Sequence, residues 1–233
     1  MHVIPVIDIR GGVVVAASRG DRARYRPIET PLAATADPVA VALGLHALFP
    51  FSTLYVADLD GIESRSADLA TQKRLVEAWP GTELWIDDGM IDSGARNFQV
   101  GRSVKYRVLG SESLASLADY KSARQNVGAS APLSLDFRGD AFLGPPELLA
   151  DAKHWPERII VMTLAKVGSG EGPDLARLAS IIARARDRQI YAAGGVRDAD
   201  DLKALRDIGV AGALIATALH SGRITASDLA ALG

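Results

Sequence analysis

Short apolar runs alternate with longer stretches of helical periodicity along the whole chain, and that alternation predicts strands and helices in turn. Eight runs read as strands: His2–Ile7, Thr53–Ala57, Glu83–Ile86, Lys105–Leu109, Pro132–Leu135, Arg158–Met162, Gln189–Ala192 and Gly212–Ile215. Between them, segments such as Ser66–Trp79 and Asp174–Arg188 carry apolar residues three and four apart over a charged face, as helices on a core do. Several strands are apolar throughout, which fits burial on both faces. Eight strands, each followed by a helical segment, predict an α/β fold of the (β/α)8 TIM-barrel kind, because an open doubly wound sheet usually has fewer strands and exposed edges. No Pro/Gly/Ser-rich linker divides the chain, so residues 1–233 are expected to form one domain. The first connection, about Arg10 to Asp37, is longer than a usual βα loop and predicts a flap or a strand pair over the barrel mouth.

The two halves of the chain also correspond. Gly194-Gly195-Val196 stands 106 residues after Asp88-Gly89-Met90, and Ala216-Thr217 keeps the same interval from Gly110-Ser111. Thr163-Leu164 follows Asp58-Leu59 by 105 residues, and Asp136 follows Asp8 by 128, the excess lying in the long first connection. A half-barrel internal repeat accounts for all four.

Composition narrows the partners. With 26 Lys+Arg against 28 Asp+Glu, the net charge is −2, and no basic excess favours nucleic acid or an anionic membrane. No apolar run approaches the roughly 18 residues of a bilayer span, and Pro5, Asp8 and Arg10 interrupt the segment a signal peptide would need, so a cytoplasmic protein is expected. The chain has no cysteine, which removes disulfides, thiolate metal sites and cysteine nucleophiles together. Its four histidines stand at no ligand spacing, and neither a metal nor a cofactor is expected. The sequence leaves the oligomeric state open.

In such barrels the working face is the C-terminal rim of the strands. Asp8 and Asp136 end the first and fifth strands, which stand opposite each other in a ring of eight, so their carboxyls suit acid–base chemistry across a bowl. Each aspartate has a structural alternative as a helix N-cap, but IRGG and FRGD follow these two and start no helix. Gly194, Gly195, Ala216 and Thr217 end the seventh and eighth strands, where glycine turns and a following helix commonly bind phosphate. Gly110, Ser111, Asp58 and Asp88 complete the candidate binding set, and Thr163 ends the sixth strand. Asp58, Asp60, Asp87 and Asp88, on adjacent strands, leave a Mg²⁺ site as a further possibility.

Read together, IPVID, VADLDG, SLDFRGD, AAGGV and ALIATALHSG occur in an order that resembles the phosphoribosylformimino-aminoimidazole-carboxamide ribotide isomerases of histidine biosynthesis and their sister cyclases. The resemblance implies the TIM barrel, and an Amadori rearrangement of an aminoaldose to an aminoketose with residues matching Asp8, Asp136 and Thr163 in the active site. It implies two phosphate sites, one in each half-barrel. Here the third turn reads Asp87-Asp88-Gly89, and carboxylates would repel a phosphate there, so a bisphosphate substrate is not expected. The usual first-loop arginine and the acidic Asp-Gly motif after strand six are also absent; the latter stretch reads LAKVGSGEG. The spellings VLGSESL, LAKVGSGEG and LIATALHSG resemble a divergent HisA/HisF-related branch of methanogens and of methylotrophs that use tetrahydromethanopterin and methanofuran.

Three readings follow. The leading one is an isomerase or lyase acting on a phosphorylated sugar or amino-sugar, with a place in making a one-carbon carrier implied by the resemblance. Asp8 would be general base and Asp136 general acid, roles open to exchange, with Thr163 bonding the reacting oxygen. The second is Mg²⁺-assisted chemistry at the four-aspartate cluster. The third is a degenerate, non-catalytic barrel subunit.

Overall fold

The computed structural model describes residues 1–79, 81–91, 98–100 and 103–232, with residues 98–100 as backbone. Eight parallel strands ring the centre: β1 (His2–Arg10), β2 (Thr53–Asp58), β3 (Glu83–Asp87), β4 (Ser103–Arg107), β5 (Leu133–Arg138), β6 (Arg158–Thr163), β7 (Gln189–Ala193) and β8 (Gly212–Ile215). Each expected strand is present. Neighbours pair in chain order, and β8 pairs with β1 through His2–Pro5. Closure between β4 and β5 depends on a kink: past Arg107 the chain turns and pairs as Leu109–Gly110 with Leu133–Ser134. The result is the expected (β/α)8 barrel.

Alternation along the strands sorts two cores. Ile4, Tyr55, Trp85, Ile160, Tyr191 and Leu214 point inward and fill the barrel, with the Trp85 and Tyr191 rings edge-on at 4.9 Å. Ile7, Val56, Ile86, Leu135, Val161 and Ala192 point outward beneath the helices. Burying each Val, Leu or Ile side chain among these contributes about 1.5–3 kcal/mol. The two periodic segments are helical over Leu69–Ala78 and Leu175–Ala185, started by Asp68 and Asp174, whose carboxyls accept from the amides of Thr71 and Arg177.

One connection departs from the expected pattern. Between β3 and β4 the described residues form no helix; Phe98–Val100 instead runs antiparallel to Ser103–Lys105. Outward-pointing polar side chains account for part of this. Lys105 and Arg107 are buried here and hydrogen-bond Gln72 and Asp88, so this wall offers a helix little apolar surface.

The half-barrel repeat is visible in the backbone. In the first half, β1 turns back into Val13–Ala16, which sets Asp8 opposite Val15; in the second, β5 turns back into Ala141–Leu143, which sets Asp136 opposite Leu143. Both turns use a left-handed glycine three residues after the aspartate, Gly11 at φ +56° and Gly139 at φ +58°. The long first connection also carries Arg26–Pro27, paired with Val15–Ala16, which is the expected strand pair at the mouth. Among the described residues no helix is long and apolar enough to cross a membrane.

Candidate active site

A bowl opens at the C-terminal mouth, and Asp8 and Asp136 line it from opposite strands. The two carboxyls are held differently. Asp136 is buried and receives three hydrogen bonds: Ser134 Oγ donates to Oδ1 at 2.6 Å, while Ser111 Oγ and the Glu112 amide donate to Oδ2 at 3.1 and 3.0 Å. Asp8 is half-buried and makes no side-chain hydrogen bond among the described residues. Burial pushes Asp8 up to about 7 against the nearby Arg22 charge. Burial, then the Glu112 charge, push Asp136 up to about 7 against its hydrogen bonds.

Two further acids face the bowl. Asp87 ends β3 and accepts from the Tyr55 hydroxyl at 3.3 Å; burial and the Asp136, Glu112 and Asp88 charges hold its carboxyl well above the usual range. Glu112 follows β4 and forms an ion pair with Arg22, which also stands 3.8 Å from Glu63. Arg22 reaches the bowl from the short 3₁₀ turn Arg22–Arg24 of the first connection, and Tyr25 beside it joins the lining. The family's usual first-loop arginine was expected to be absent, yet Arg22 of this loop reaches the bowl; Glu112 and Tyr55 carry no motif that marks them in the sequence. Asp87 was legible, because alternation from the inward Trp85 turns residue 87 inward as well.

The opposite half of the bowl has a different character. Gly194, Gly195, Ala216 and Thr217 line it together with Lys166, Gly168 and Arg223. Gly194 and Gly195 have φ of +102° and +91°, and a Cβ on Gly195 would lie 2.3 Å from the Gly172 carbonyl oxygen. Only glycine lets the β6 and β7 loops meet this closely. The expected glycine turns are therefore in place, flanked by two cations.

Other expected residues lie elsewhere. Asp58 caps the helix Leu59–Ser64: its carboxyl accepts from the Gly61 and Asp68 amides and from Gln72 Nε2 at 3.1, 2.6 and 3.0 Å. Asp88 points into the wall, where Arg107 Nη1 donates to it at 2.9 Å and Gln72 at 3.2 Å. Neither lines the bowl, because each follows an inward residue by one position and so faces the other way. Gly110 and Ser111 are buried beneath the rim; Ser111 is bonded to Asp136, and a Cβ on Gly110 would lie 2.9 Å from Asp87 Oδ2. Thr163 ends β6, but Met162 and Leu164 line the bowl: Met162 shares register with Asp136, and Thr163 with the outward Phe137. The four aspartates of the Mg²⁺ reading turn to separate partners. With Asp58 capping, Asp60 accepting from the Gly11 amide and Asp88 paired with Arg107, no three acid or histidine groups among the described residues are placed to hold a metal ion.

A closed barrel with buried carboxyls at its C-terminal rim defines the class of (β/α)8 barrels whose chemistry sits at that mouth. Within that class the chain belongs to the histidine biosynthesis protein family, which it matches over residues 2–225. It is 30% identical over 252 residues to a phosphoribosyl imidazole-4-carboxamide isomerase of Rubrobacter xylanophilus, covering 98% of this chain and 95% of that one. An isomerase of the same name from Flavobacterium johnsoniae is 28% identical over 250 residues, covering 98% of each. An uncharacterized protein of Methanocaldococcus jannaschii is 25% identical over 233 residues, covering 98% of this chain and 97% of that one. The isomerases' name carries two phosphoribosyl groups.

Proposed function

We propose that this protein is an isomerase that shifts a proton between adjacent carbons of a phosphorylated sugar or amino-sugar carrying one phosphate. The observation behind this reading is that Asp8 and Asp136 face one bowl from opposite strands, each near neutrality and able to take or give a proton.

The hydrogen bonds suggest which does which. Three donors favour the ionised form of Asp136, and the absence of any favours a protonated Asp8. Asp136 is then the base and Asp8 the acid. In an Amadori-type step, Asp8 protonates the ring oxygen of an aminoaldose, which opens to an iminium. Asp136 removes the proton on the second carbon to give an enolamine; Asp136 then returns a proton to the first carbon while Asp8 takes the proton of the second carbon's hydroxyl, which completes the aminoketose and restores both carboxyls. Atoms balance without a co-reactant.

Charge partition supports a single phosphate. Gly194, Gly195, Ala216 and Thr217, with Lys166 and Arg223, suit an oxyanion. On the other side Glu112 and the ionised form of Asp136, set against the single Arg22 charge, disfavour a second one. That half suits a hydroxyl-rich or cationic end. Met162 occupies the face on which Thr163 was expected, so we assign Thr163 no bond to the substrate. The pathway setting, making a one-carbon carrier, rests on the sequence resemblance alone.

The test is a panel of N-substituted ribosylamine phosphates in deuterated water, read by proton NMR. Enzyme-dependent deuterium incorporation at the first carbon is expected, falling at least ~100-fold in Asp8→Asn and Asp136→Asn. No incorporation across the panel, with no stabilisation of the fold by any phosphorylated member, would sink the reading.

A further inference from the structure

Ser111 holds three polar contacts with one hydrogen. Its Oγ accepts from the Asp136 amide at 2.9 Å and lies 2.6 Å from the Leu143 carbonyl oxygen and 3.1 Å from Asp136 Oδ2. The hydroxyl can donate to only one of those two oxygens at a time. Which it chooses depends on Asp136. When Asp136 is ionised, the Ser111 proton satisfies Oδ2. When Oδ2 carries a proton, two hydroxyl hydrogens cannot both point into that contact. Oδ2–H then donates to Ser111 Oγ, and the Ser111 proton turns to the Leu143 carbonyl. The Glu112 amide and Ser134 hydroxyl serve Asp136 in both states.

We propose that Ser111 is a positioning residue, a hydroxyl rotor that keeps Asp136 hydrogen-bonded in one geometry through both of its protonation states. The proposal rests on reading Asp136 as the proton carrier of the reaction. It departs from the binding role expected for Gly110-Ser111, because this turn grips the chain's own carboxylate. The geometry is rigid enough for a two-position switch. Ser111 is fully buried, Leu143 stands in register with Asp136 on the returning strand, and a Cβ on Gly144 would lie 2.8 Å from the Ser111 carbonyl oxygen. A carboxylate that changes charge in a buried site would otherwise leave a polar group unpaired in one of its states, which is costly.

The charged and titratable groups facing Asp136 are Glu112, Asp87 and Tyr55, with Arg22 paired to Glu112. Burial, then the Glu112 charge, set where Asp136 titrates against its hydrogen bonds; the rotor sets what else moves when it does. That movement is readable without substrate. In ¹³C-labelled protein the Leu143 carbonyl signal is expected to titrate with the same midpoint as the Asp136 side-chain carboxyl, gaining the Ser111 bond as pH falls. In Ser111→Ala the Leu143 signal should go flat while the Asp136 carboxyl and Glu112 amide still titrate, and Ser111→Thr should restore the coupling. A Leu143 signal that stays flat through the Asp136 titration in the unaltered protein overturns the proposal, whether or not the variants fold. So does one that titrates unchanged in Ser111→Ala. Failure of the deuterium exchange experiment would remove the reaction and leave this coupling standing, so the two outcomes are separable.

Discussion

Arg107 Nη1 donates to Asp88 at 2.9 Å inside the barrel wall, and neither side chain lines the bowl. Both are almost wholly buried, at 4% and 0% side-chain exposure, so removing one charge leaves the other in a poorly solvated place. Asp88→Ala is expected to lower unfolding free energy by about 3–5 kcal/mol in urea titrations. Its affinity for inorganic phosphate at the glycine turns, measured by ³¹P NMR under conditions where the variant is folded, should stay within twofold. A stable variant with lost phosphate binding would return Asp88 to the site.

Asp136 ties stability to pH in a defined window. Its carboxyl is raised from 3.8 to about 7, so between those values the folded chain keeps a proton the unfolded chain has lost. Stability from this group is fully present below about pH 4, falls as pH rises, and levels off above about 7. The slope is up to about 1.4 kcal/mol per pH unit. His220 works in the opposite sense. Burial pushes it down to about 4, so it favours the fold more as pH rises from 4 to 6.5. The comparison is therefore wild type against Asp136→Asn, in which the His220 contribution cancels. The variant should gain stability relative to wild type from pH 4 to 7 and hold that gain above; a constant difference would contradict the raised carboxyl.

The Arg22 charge opposes the upward shift of Asp8. Arg22→Gln should raise the Asp8 midpoint above about 7 in a carboxyl ¹³C titration. The same change removes the pairs to Glu112 and Glu63, so amide exchange over residues 22–25 should quicken. An Asp8 midpoint that falls or stays put would show that the flap does not set the charge at the mouth.

Alternating apolar runs carried the strands, because every barrel strand must fill both an inner and an outer core, and the spacing of matching rim motifs carried the half-repeat. Neither revealed which rim aspartates work. Asp87 and Asp88 are adjacent and chemically identical, yet one lines the bowl and the other meets Arg107; the difference is one step of strand alternation, and Trp85 supplies the phase. Asp58 also ends a strand, but its next turn starts a helix at once, and the capping role follows. Arg22 and Glu112 were hidden for another reason. They stand 90 residues apart, and only the folded first connection brings them together. That the described residues after β3 form no helix left a trace in Lys105 and Arg107, two charges placed on the outer face of a strand.

The metal reading has a direct solution test. Asp58, Asp60 and Asp88 are each committed to amides or to Arg107. Isothermal titration of chelator-treated protein with Mg²⁺ should give no saturable heat at millimolar metal. Saturable binding that disappears in Asp58→Asn would require these carboxyls to leave their present partners.

The contact between the β6 and β7 loops makes the sharpest demand on a single residue. Gly195 sits at φ +91°, and its amide plane is held by the Gly172 amide, which donates to the Gly195 carbonyl at 3.1 Å. An alanine there meets two penalties: an unfavourable backbone angle, about 1–3 kcal/mol, and a methyl group 2.3 Å from the Gly172 oxygen. Gly139→Ala is the matched control, since Gly139 also has a positive φ but nothing lies within 4 Å of its Cβ position. Both variants should lose stability, Gly195→Ala the more. Only Gly195→Ala should also lose phosphate affinity, because relieving its clash pushes apart the two loops that line the cationic half of the bowl. Equal phosphate binding in the two variants would mean that the glycine pair merely packs the loops, and the phosphate would have to be sought elsewhere on the rim.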